Sequence, residues 1–167
     1  MILSKEVSIS PDENAGQLHD TLMNLGSLAV AETLKLIESG KAETTLQVDS
    51  AEIKTAYKLN KDNCKIDWNR TGKEIHNQIR GLSPYPAAWS FFSDNGQEWN
   101  VKIYEAKFTP ESHSETIGKI ITTKKEMKIA VSDGYIEIAQ LQFPGKKNLK
   151  TAELLNGISF GTDAKAF

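Results

Sequence analysis

The residues of this sequence whose types and spacing suggest chemistry are cationic. Lys146 and Lys147 follow a Pro-Gly pair in a predicted loop, and further lysines lie on or beside a predicted strand hairpin. Lysine and arginine contact phosphate oxygens when proteins hold a nucleic-acid backbone. The candidate residues for such a nucleic-acid-binding surface are Arg80, Lys119, Lys124, Lys125, Lys128, Lys146 and Lys147. For any single lysine, a solvated position is the competing interpretation, and Arg80 could instead interact with a helix dipole.

Residues for catalysis or metal binding form no recognisable pattern. The sequence has no nucleophile elbow, no metal-ligand spacing and no phosphate-binding glycine loop. Its three histidines, His19, His76 and His113, share no motif. Cys64 is the only cysteine, which excludes an intramolecular disulfide and a zinc site built on several thiolates. We therefore predict that this chain holds no catalytic residue, no metal ion and no bound cofactor.

Composition and charge indicate a soluble globular protein. Hydrophobic residues make up 39% and charged residues 25% of the 167 residues, and no apolar run is long enough for a transmembrane helix. Residues 1–62 carry a net charge of −4 and residues 63–167 carry +2. Because this surplus is small, an RNA-binding surface must come from lysines that cluster in space. The single cysteine and the absence of a leader pattern favour the cytoplasm.

Residues 65–90 are predicted to organise the domain that positions these lysines. Residues 65–68 are predicted as an opening strand. Thr71 is predicted as the N-cap of a helix, with Glu74 completing a capping box, and apolar residues at helical spacing follow. Two prolines end the helix, because proline has no backbone donor. The alternating pattern around Trp89 then predicts the first core strand.

Short alternating segments with turn signals follow. Asn95 and Gly96 predict a tight turn, residues 98–106 a returning strand and residues 109–115 a polar loop. Further strands are predicted from residue 118, from residue 128 and after Gly134. This pattern, with one early and one late helix, predicts an OB-like open antiparallel barrel over residues 64–167. The three tryptophans are expected in its core rather than as stacking platforms for bases, namely Trp68, Trp89 and Trp99.

Residues 1–40 are predicted to form a strand and two helices. The strand covers residues 1–9, and Ser10 and Pro11 signal the start of the first helix. Gly26 is expected to separate the helices, and Gly40 to end the second one. These elements are too few to enclose a core alone. Residues 41–63 are polar and are predicted as an interdomain linker with one short ordered piece at residues 56–59.

Several short motifs in order resemble one protein family. They are Ile66-Asp67-Trp68, Ile79-Arg80-Gly81-Leu82, Pro84-Tyr85-Pro86-Ala87-Ala88-Trp89, Pro144-Gly145-Lys146-Lys147 and Ala152-Glu153-Leu154-Leu155-Asn156-Gly157. Together they resemble the C-terminal domain of the methionyl-tRNA formyltransferase family. Residues 14–20 and the pair Leu25-Gly26 resemble the helix pair that closes that family's catalytic domain, which has a doubly wound α/β fold.

The resemblance implies that the chain is the C-terminal part of a longer enzyme. Residues 1–40 are then the end of the catalytic domain, residues 41–63 the linker and residues 64–167 the OB-like tRNA-binding domain. Lys58 and Lys61 either line the crossing between the domains or lie in solvent; the two interpretations are equally weighted.

The resemblance also implies an activity. The family transfers a formyl group from 10-formyltetrahydrofolate, its cosubstrate, to the amino group of initiator methionyl-tRNA. The family's catalytic asparagine, histidine and aspartate have no counterparts in this sequence, so we expect the chain alone to be inactive. The implied partners are initiator methionyl-tRNA and the catalytic domain, in a monomeric cytoplasmic enzyme with no membrane partner.

Two alternatives stay open. The chain could be the corresponding domain of another formyltransferase-fold enzyme, acting on a nucleotide sugar or feeding a dehydrogenase, although the Pro-Gly-Lys-Lys motif favours the tRNA enzyme. It could also be a stand-alone OB-type nucleic-acid-binding module. That alternative leaves residues 1–40 unexplained.

Overall fold

The computed structural model describes residues 1–47 and 53–167. The part of the predicted linker at residues 48–52 lies outside the described residues. Backbone contacts divide the chain into two compact units, Met1–Lys58 and Leu59–Phe167. Residues 56–59, predicted to be an ordered piece, form no helix or strand.

The first unit contains one long helix, α1 (Ala15–Glu38), where the sequence predicted two. Gly26 lies inside α1 and does not break it, because a glycine costs a helix only about 1 kcal/mol. The predicted start at Ser10 is also wrong, since residues 10–13 form a turn. The N-cap is Asn14, whose Oδ1 accepts a hydrogen bond from the Gln17 amide at 2.9 Å. Gln17 Oε1 accepts one from the Asn14 amide at 2.9 Å, which completes a capping box.

The C-terminus of α1 matches its prediction. Gly40 has φ +67°, and its amide donates to the Ile37 carbonyl at 3.0 Å. The Lys41 amide donates to the Leu36 carbonyl at 2.9 Å. These two bonds form a Schellman motif, in which glycine tolerates the left-handed conformation.

Residues 1–9 form no strand, contrary to the prediction. Met1 and Thr45 exchange hydrogen bonds, from the Met1 ammonium at 2.6 Å and from the Thr45 amide at 2.8 Å. A strand needs a neighbour along its whole length to satisfy its backbone groups, and the described residues provide no such neighbour. No residue of α1 is buried within this unit, so residues 1–47 enclose no core.

The second unit opens with a turn and a short helix. The predicted opening strand is reduced to one bridge between Lys65 and Trp89, because residues 67–70 turn towards the helix N-cap. Helix α2 (Gly72–Leu82) has the predicted capping box between Thr71 and Glu74. Its buried face consists of Gly72, Ile75, Ile79 and Leu82.

The remaining elements are β1 (Ala88–Asp94), β2 (Gln97–Pro110), β3 (Ile120–Thr122), β4 (Met127–Val131), β5 (Gly134–Gln142), β6 (Leu149–Lys150), α3 (Thr151–Leu154) and β7 (Lys165–Ala166). The seven strands form one sheet in the order β3-β4-β5-β2-β1-β7, with β6 paired to β5. All named strand pairs are antiparallel. The predicted turn between β1 and β2 is confirmed, with positive φ at Asn95 and Gly96. The loop predicted from residue 109 starts later, because Pro110 still pairs with Gly134.

The sheet nearly closes into a barrel through β7. Its Ala166 amide donates to the Gly118 carbonyl at 2.7 Å, and the Ile120 amide donates to the Ala164 carbonyl at 2.9 Å. On the other side β7 pairs with β1. The predicted mainly antiparallel, barrel-like fold is therefore confirmed, although β7 itself is too short to show an alternating pattern in the sequence.

The barrel interior holds the core that the alternation predicted. Phe92, Ile103 and Ile136 are fully buried, together with Ile75 and Ile79 of α2. The tryptophans contribute unequally: Trp68 and Trp89 are buried, whereas Trp99 is half-buried against Phe143 and Phe160.

Candidate nucleic-acid interface

A groove of about 660 Å³ runs over the outer face of the sheet, across β2, β4 and β5. The register aligns one row of charges across these strands: Lys107 pairs with Glu137, which pairs with Lys128. Antiparallel partners place their side chains on the same face, close together. Glu137 also accepts a hydrogen bond from Thr109 Oγ1 at 2.6 Å. A carboxylate therefore lies between two cations.

The rims of the groove add further charges of both signs. The β3–β4 hairpin contributes Lys125 and Glu126, β6 contributes Lys150, and β2 contributes Glu105. With the central row, the lining contains four lysines and three glutamates. The groove is therefore only slightly cationic, which agrees with the small surplus of positive charge in this half of the sequence.

Lys128 is held in place by an aromatic pair. Its Nζ lies 3.9 Å from the centroid of the Tyr135 ring, a cation–π contact. The Tyr135 ring also packs against the His113 ring, at 4.5 Å between centroids. His113 Nε2 lies 2.8 Å from the Val131 carbonyl oxygen and 2.9 Å from that of Gly134. The ammonium of Lys128 is thus positioned before any ligand arrives.

Lys119 forms an ion pair with Glu115. Its Nζ donates to Glu115 Oε2 at 2.6 Å. This hydrogen bond lowers the pKa of Glu115 below its usual value, and the charges of Lys119, His113 and Lys128 act in the same direction. Glu115 therefore stays ionised near neutral pH and offsets the charge of Lys119.

The predicted basic tip is a fixed loop with exposed lysines. The Lys146 amide donates to the Phe143 carbonyl at 3.0 Å, and Gln142 Nε2 donates to the Lys146 carbonyl at 2.8 Å. Gly145 has φ +70° and makes the turn possible. Lys146 and Lys147 are both exposed and precede Lys150 of the groove by four and three residues.

The structure brings together part of the predicted set. Lys125 and Lys128 line the groove, Lys124 is exposed beside Lys125, and Lys119 and Lys128 both act on Glu115. Arg80 does not line the groove; its Nε donates to Asn77 Oδ1 on α2 at 2.9 Å.

Two lining lysines, Lys107 and Lys150, were missed by the sequence analysis. Lys107 occupies an outward position of an alternating strand, which was the available signal. Its position beside Glu137 depends on the strand register.

Residues 1–47 and 53–167 offer neither a metal site nor a membrane-spanning helix. No three His, Cys, Asp or Glu side chains there are placed to hold a metal ion. In the same residues, every helix is too short or too polar to cross a membrane. The chemistry that this surface offers is the contact of ammonium groups with anions.

Comparison with known proteins gives a consistent family. The model of the formyl transferase C-terminal domain matches residues 58–159. The methionyl-tRNA formyltransferase of Flavobacterium johnsoniae is 60% identical over 167 residues, which is 100% of this chain and 53% of that protein. That of Clostridioides difficile is 34% identical over 163 residues, 97% of this chain and 51% of that protein. The chain spans about half the length of the curated relatives it matches.

Solved structures share the fold. A variant of HypX from Aquifex aeolicus superposes with a TM-score of 0.62 at 18% identity, covering 90% of this chain and 27% of that one. An N-formyltransferase from Helicobacter canadensis, in complex with folinic acid and dTDP-3-aminofucose, gives a TM-score of 0.56 at 22% identity, covering 80% of this chain and 47% of that one. At these identities the likeness concerns the fold alone.

The family resemblance predicted from the motifs is thereby confirmed. The family model covers the proline corner, strands β1 to β6 and the basic tip, all of which lie within residues 58–159, whereas β7 follows the matched range. The chain belongs to the formyl transferase C-terminal domain family.

Proposed function

We propose that this chain is the C-terminal, tRNA-binding part of a methionyl-tRNA formyltransferase. That enzyme transfers a formyl group from 10-formyltetrahydrofolate to the amino group of initiator methionyl-tRNA. The observation that carries the proposal is the 60% identity to a protein of that name along all 167 residues. The folate cosubstrate is assigned to the catalytic domain, and no described residue of this chain is assigned to it.

The same proposal divides the chain by role. Residues 1–40 belong to the end of the catalytic domain, residues 41–63 to the linker, and residues 64–167 to the tRNA-binding domain. Support comes from α1, whose apolar side chains find no core in residues 1–47, and from the family match, which begins at residue 58. The partners are initiator tRNA and the catalytic domain, in a monomeric cytoplasmic enzyme.

Within the barrel, we assign tRNA contact to the groove and to the basic tip. Lys124, Lys125 and Lys128 are the strongest members of the predicted set, because they lie in or beside the groove. Lys146 and Lys147 lie in the loop that leads into β6, whose Lys150 lines the groove. Lys107 and Lys150 are added to the predicted set because they line the groove. Lys119 and Arg80 stay in the proposal with a weaker basis, since each already has a partner.

The first test concerns catalysis. The chain alone is expected to show no formyl transfer, because the family's catalytic residues have no counterparts in it. Charged initiator tRNA and the formyl donor would be incubated with the chain, using an intact relative as the positive control. Turnover close to that of the intact enzyme would overturn the assignment of this chain to the binding part.

The second test concerns the basic tip. Phosphate contacts release counterions, so affinity for initiator tRNA should fall steeply with salt, with a log–log slope of about −0.9 per contact on a duplex. Lys146→Glu combined with Lys147→Glu should weaken binding and flatten that slope by roughly two units. Binding would be measured by fluorescence anisotropy over a salt series.

A matched control makes the result specific. Lys41→Glu combined with Lys73→Glu changes the net charge equally at two exposed lysines outside the tip and the groove. If the two double variants lost equal amounts of affinity for tRNA, only the total charge of the chain would matter. Unchanged affinity in the tip variant would show that Lys146 and Lys147 lie in solvent when tRNA binds.

A further inference from the structure

A second groove lies at the corner between α2 and β1. It has a volume of about 290 Å³ and shares no lining residue with the groove on β2, β4 and β5. Its lining includes Tyr85, Trp89, Lys61 and Lys102, and no carboxylate. The neighbouring Asp62 lines a different groove. An aromatic surface and two cations are thus gathered at one place, and no described residue of this lining is a carboxylate.

Tyr85 is the most distinctive residue of this groove, because 85% of it is exposed. It lies between Pro84 and Pro86, whose rings restrict the backbone. The Ala87 amide donates to the Leu82 carbonyl at 2.9 Å and closes the corner. The phenol ring is therefore displayed to solvent from a fixed backbone, so a ligand that stacks on it orders little of the chain.

The two lysines are positioned by Trp89. Lys102 is the cross-strand partner of Trp89 and shares its face of the sheet. The Trp89 Nε1–H group donates to the Lys61 carbonyl at 2.7 Å, and Lys61 Nζ lies 5.4 Å from the Trp89 ring centroid. Trp89 itself is buried and forms part of the groove lining together with both lysines and Tyr85.

We propose that this corner binds one unpaired nucleotide of RNA, with the base stacked on Tyr85 and the phosphate at Lys61 and Lys102. The inference rests on the proposed function and adds a second contact region for tRNA. Aromatic rings stack on bases that are not already in a helix, and lysines contact the backbone beside them. The groove is at the lower limit of ligand pockets, about 300 Å³, which suits one nucleotide rather than a duplex.

The experiment compares stacking with charge. Binding of the full chain to initiator tRNA and to a short oligouridylate would be measured over a salt series. Tyr85→Ala should lower the affinity for both roughly 5- to 100-fold without changing the salt slope, because stacking releases no counterions. Lys102→Gln should flatten the slope by about 0.7 on the single strand. Tyr85→Phe and Tyr85→Trp should bind within about twofold of the wild type, since each retains an aromatic ring.

Tyr57→Ala is the matched control, because Tyr57 is another tyrosine with 81% exposure. Wild-type affinity in Tyr85→Ala, or equal losses in the two alanine variants, would overturn the inference while leaving the proposed function in place. The proposed function would be overturned instead if the wild type bound oligouridylate in a Tyr85-dependent way but did not bind initiator tRNA. If Tyr85→Ala fails to fold, the salt dependence of binding by Lys102→Gln tests the inference. A salt slope equal to that of the wild type would overturn it.

Discussion

In the proposed RNA-binding groove, single charges of opposite sign lie side by side. Glu137 lies between Lys107 and Lys128 in the register of the sheet. Attraction between exposed charges is worth only about 0–1 kcal/mol, so this carboxylate opposes the approach of a phosphate only weakly. Lys128 differs from its neighbours, because its contact with Tyr135 holds it over the ring. It is the lysine in the groove that loses least freedom on binding.

Glu74 gives a residue-scale prediction about pH. Hydrogen bonds from the Thr71 hydroxyl, from the Thr71 amide and from Arg70 lower the pKa of its carboxyl group. A carboxylate whose pKa is lower in the folded state stabilises that state above its unfolded-state pKa. The contribution is lost as the pH falls through the folded-state pKa. Glu74→Gln should therefore reduce the free energy of unfolding at neutral pH, and the difference from the wild type should shrink in acid.

Urea unfolding of both proteins at about pH 7 and about pH 3 would check this, since these values lie on either side of the usual glutamate pKa. Thr71→Ala serves as the control for the cap itself and should cost about 1 kcal/mol at neutral pH. A Glu74→Gln difference that is the same at both pH values would contradict the electrostatic explanation.

The residues of the candidate site were only partly predictable. Lys125 and Lys128 could be proposed because they lie close together in sequence on one hairpin. Lys107 and Lys150 join them through strand pairings over longer sequence distances, and alternation gives the face of a residue but not its partner. Lys119 and Glu115 are four residues apart and form an ion pair. This pair depends on the local backbone geometry, which could not be predicted from the sequence.

At the scale of elements, the start of β5 after its turn from β4 fixes how closely β5 packs against β2. Gly134 has φ +154°, and a Cβ built there would lie 2.2 Å from the Thr109 carbonyl oxygen. Its own carbonyl accepts the contact from His113, which supports Tyr135 beneath Lys128. A residue with a side chain cannot occupy this position without moving β2 away from β5.

Gly134→Ala should therefore destabilise the protein by about 2–4 kcal/mol, from backbone strain and overlap together. Gly81→Ala is the matched control: Gly81 lies in α2 with nothing within 4 Å of its Cβ position. That change should stabilise the protein by about 0.5–1 kcal/mol, because alanine favours the helix. Thermal unfolding of both variants would measure these shifts, and a neutral Gly134→Ala would refute the close-packing argument.

Sequence patterns predicted elements best where local chemistry determines them. The capping box at Thr71 and the Asn95-Gly96 turn depend on side chains within four residues, and both were predicted correctly. The strand predicted at residues 1–9 failed, because pairing depends on a distant partner. The break predicted at Gly26 failed for a different reason: helical neighbours on both sides outweigh the modest cost of one glycine.

At the scale of the whole molecule, the two units differ in their ability to fold. The second unit encloses the core, whereas no residue of α1 is buried in the first unit. The second unit begins at Leu59 and so includes Lys61, whose carbonyl accepts a hydrogen bond from the Nε1–H group of the buried Trp89 at 2.7 Å. Residues 59–63 therefore contribute to the stability of the barrel.

A chain comprising residues 59–167 should unfold cooperatively, with an unfolding temperature close to that of the second unit in the full chain. A chain beginning at Cys64 loses the hydrogen bond from Trp89 to the Lys61 carbonyl and should be less stable by about 1–3 kcal/mol. Calorimetry of the two truncated chains would measure the difference. Non-cooperative melting of residues 59–167 would show that the barrel depends on the first unit.

The closure of the barrel by β7 has a consequence for synthesis on the ribosome. β1 is made early, but its edge at Phe92 and Ser93 stays open until residues 165 and 166 have emerged, and residues 164 and 166 also bond the backbone of Ile120 and Gly118. An open edge is a template for pairing with another chain. A ribosome that stalls before residue 164 would release a polypeptide with most of its core and two unpaired edges. Translation of residues 164–166 therefore separates a closed barrel from a chain with open strand edges, which is prone to aggregate.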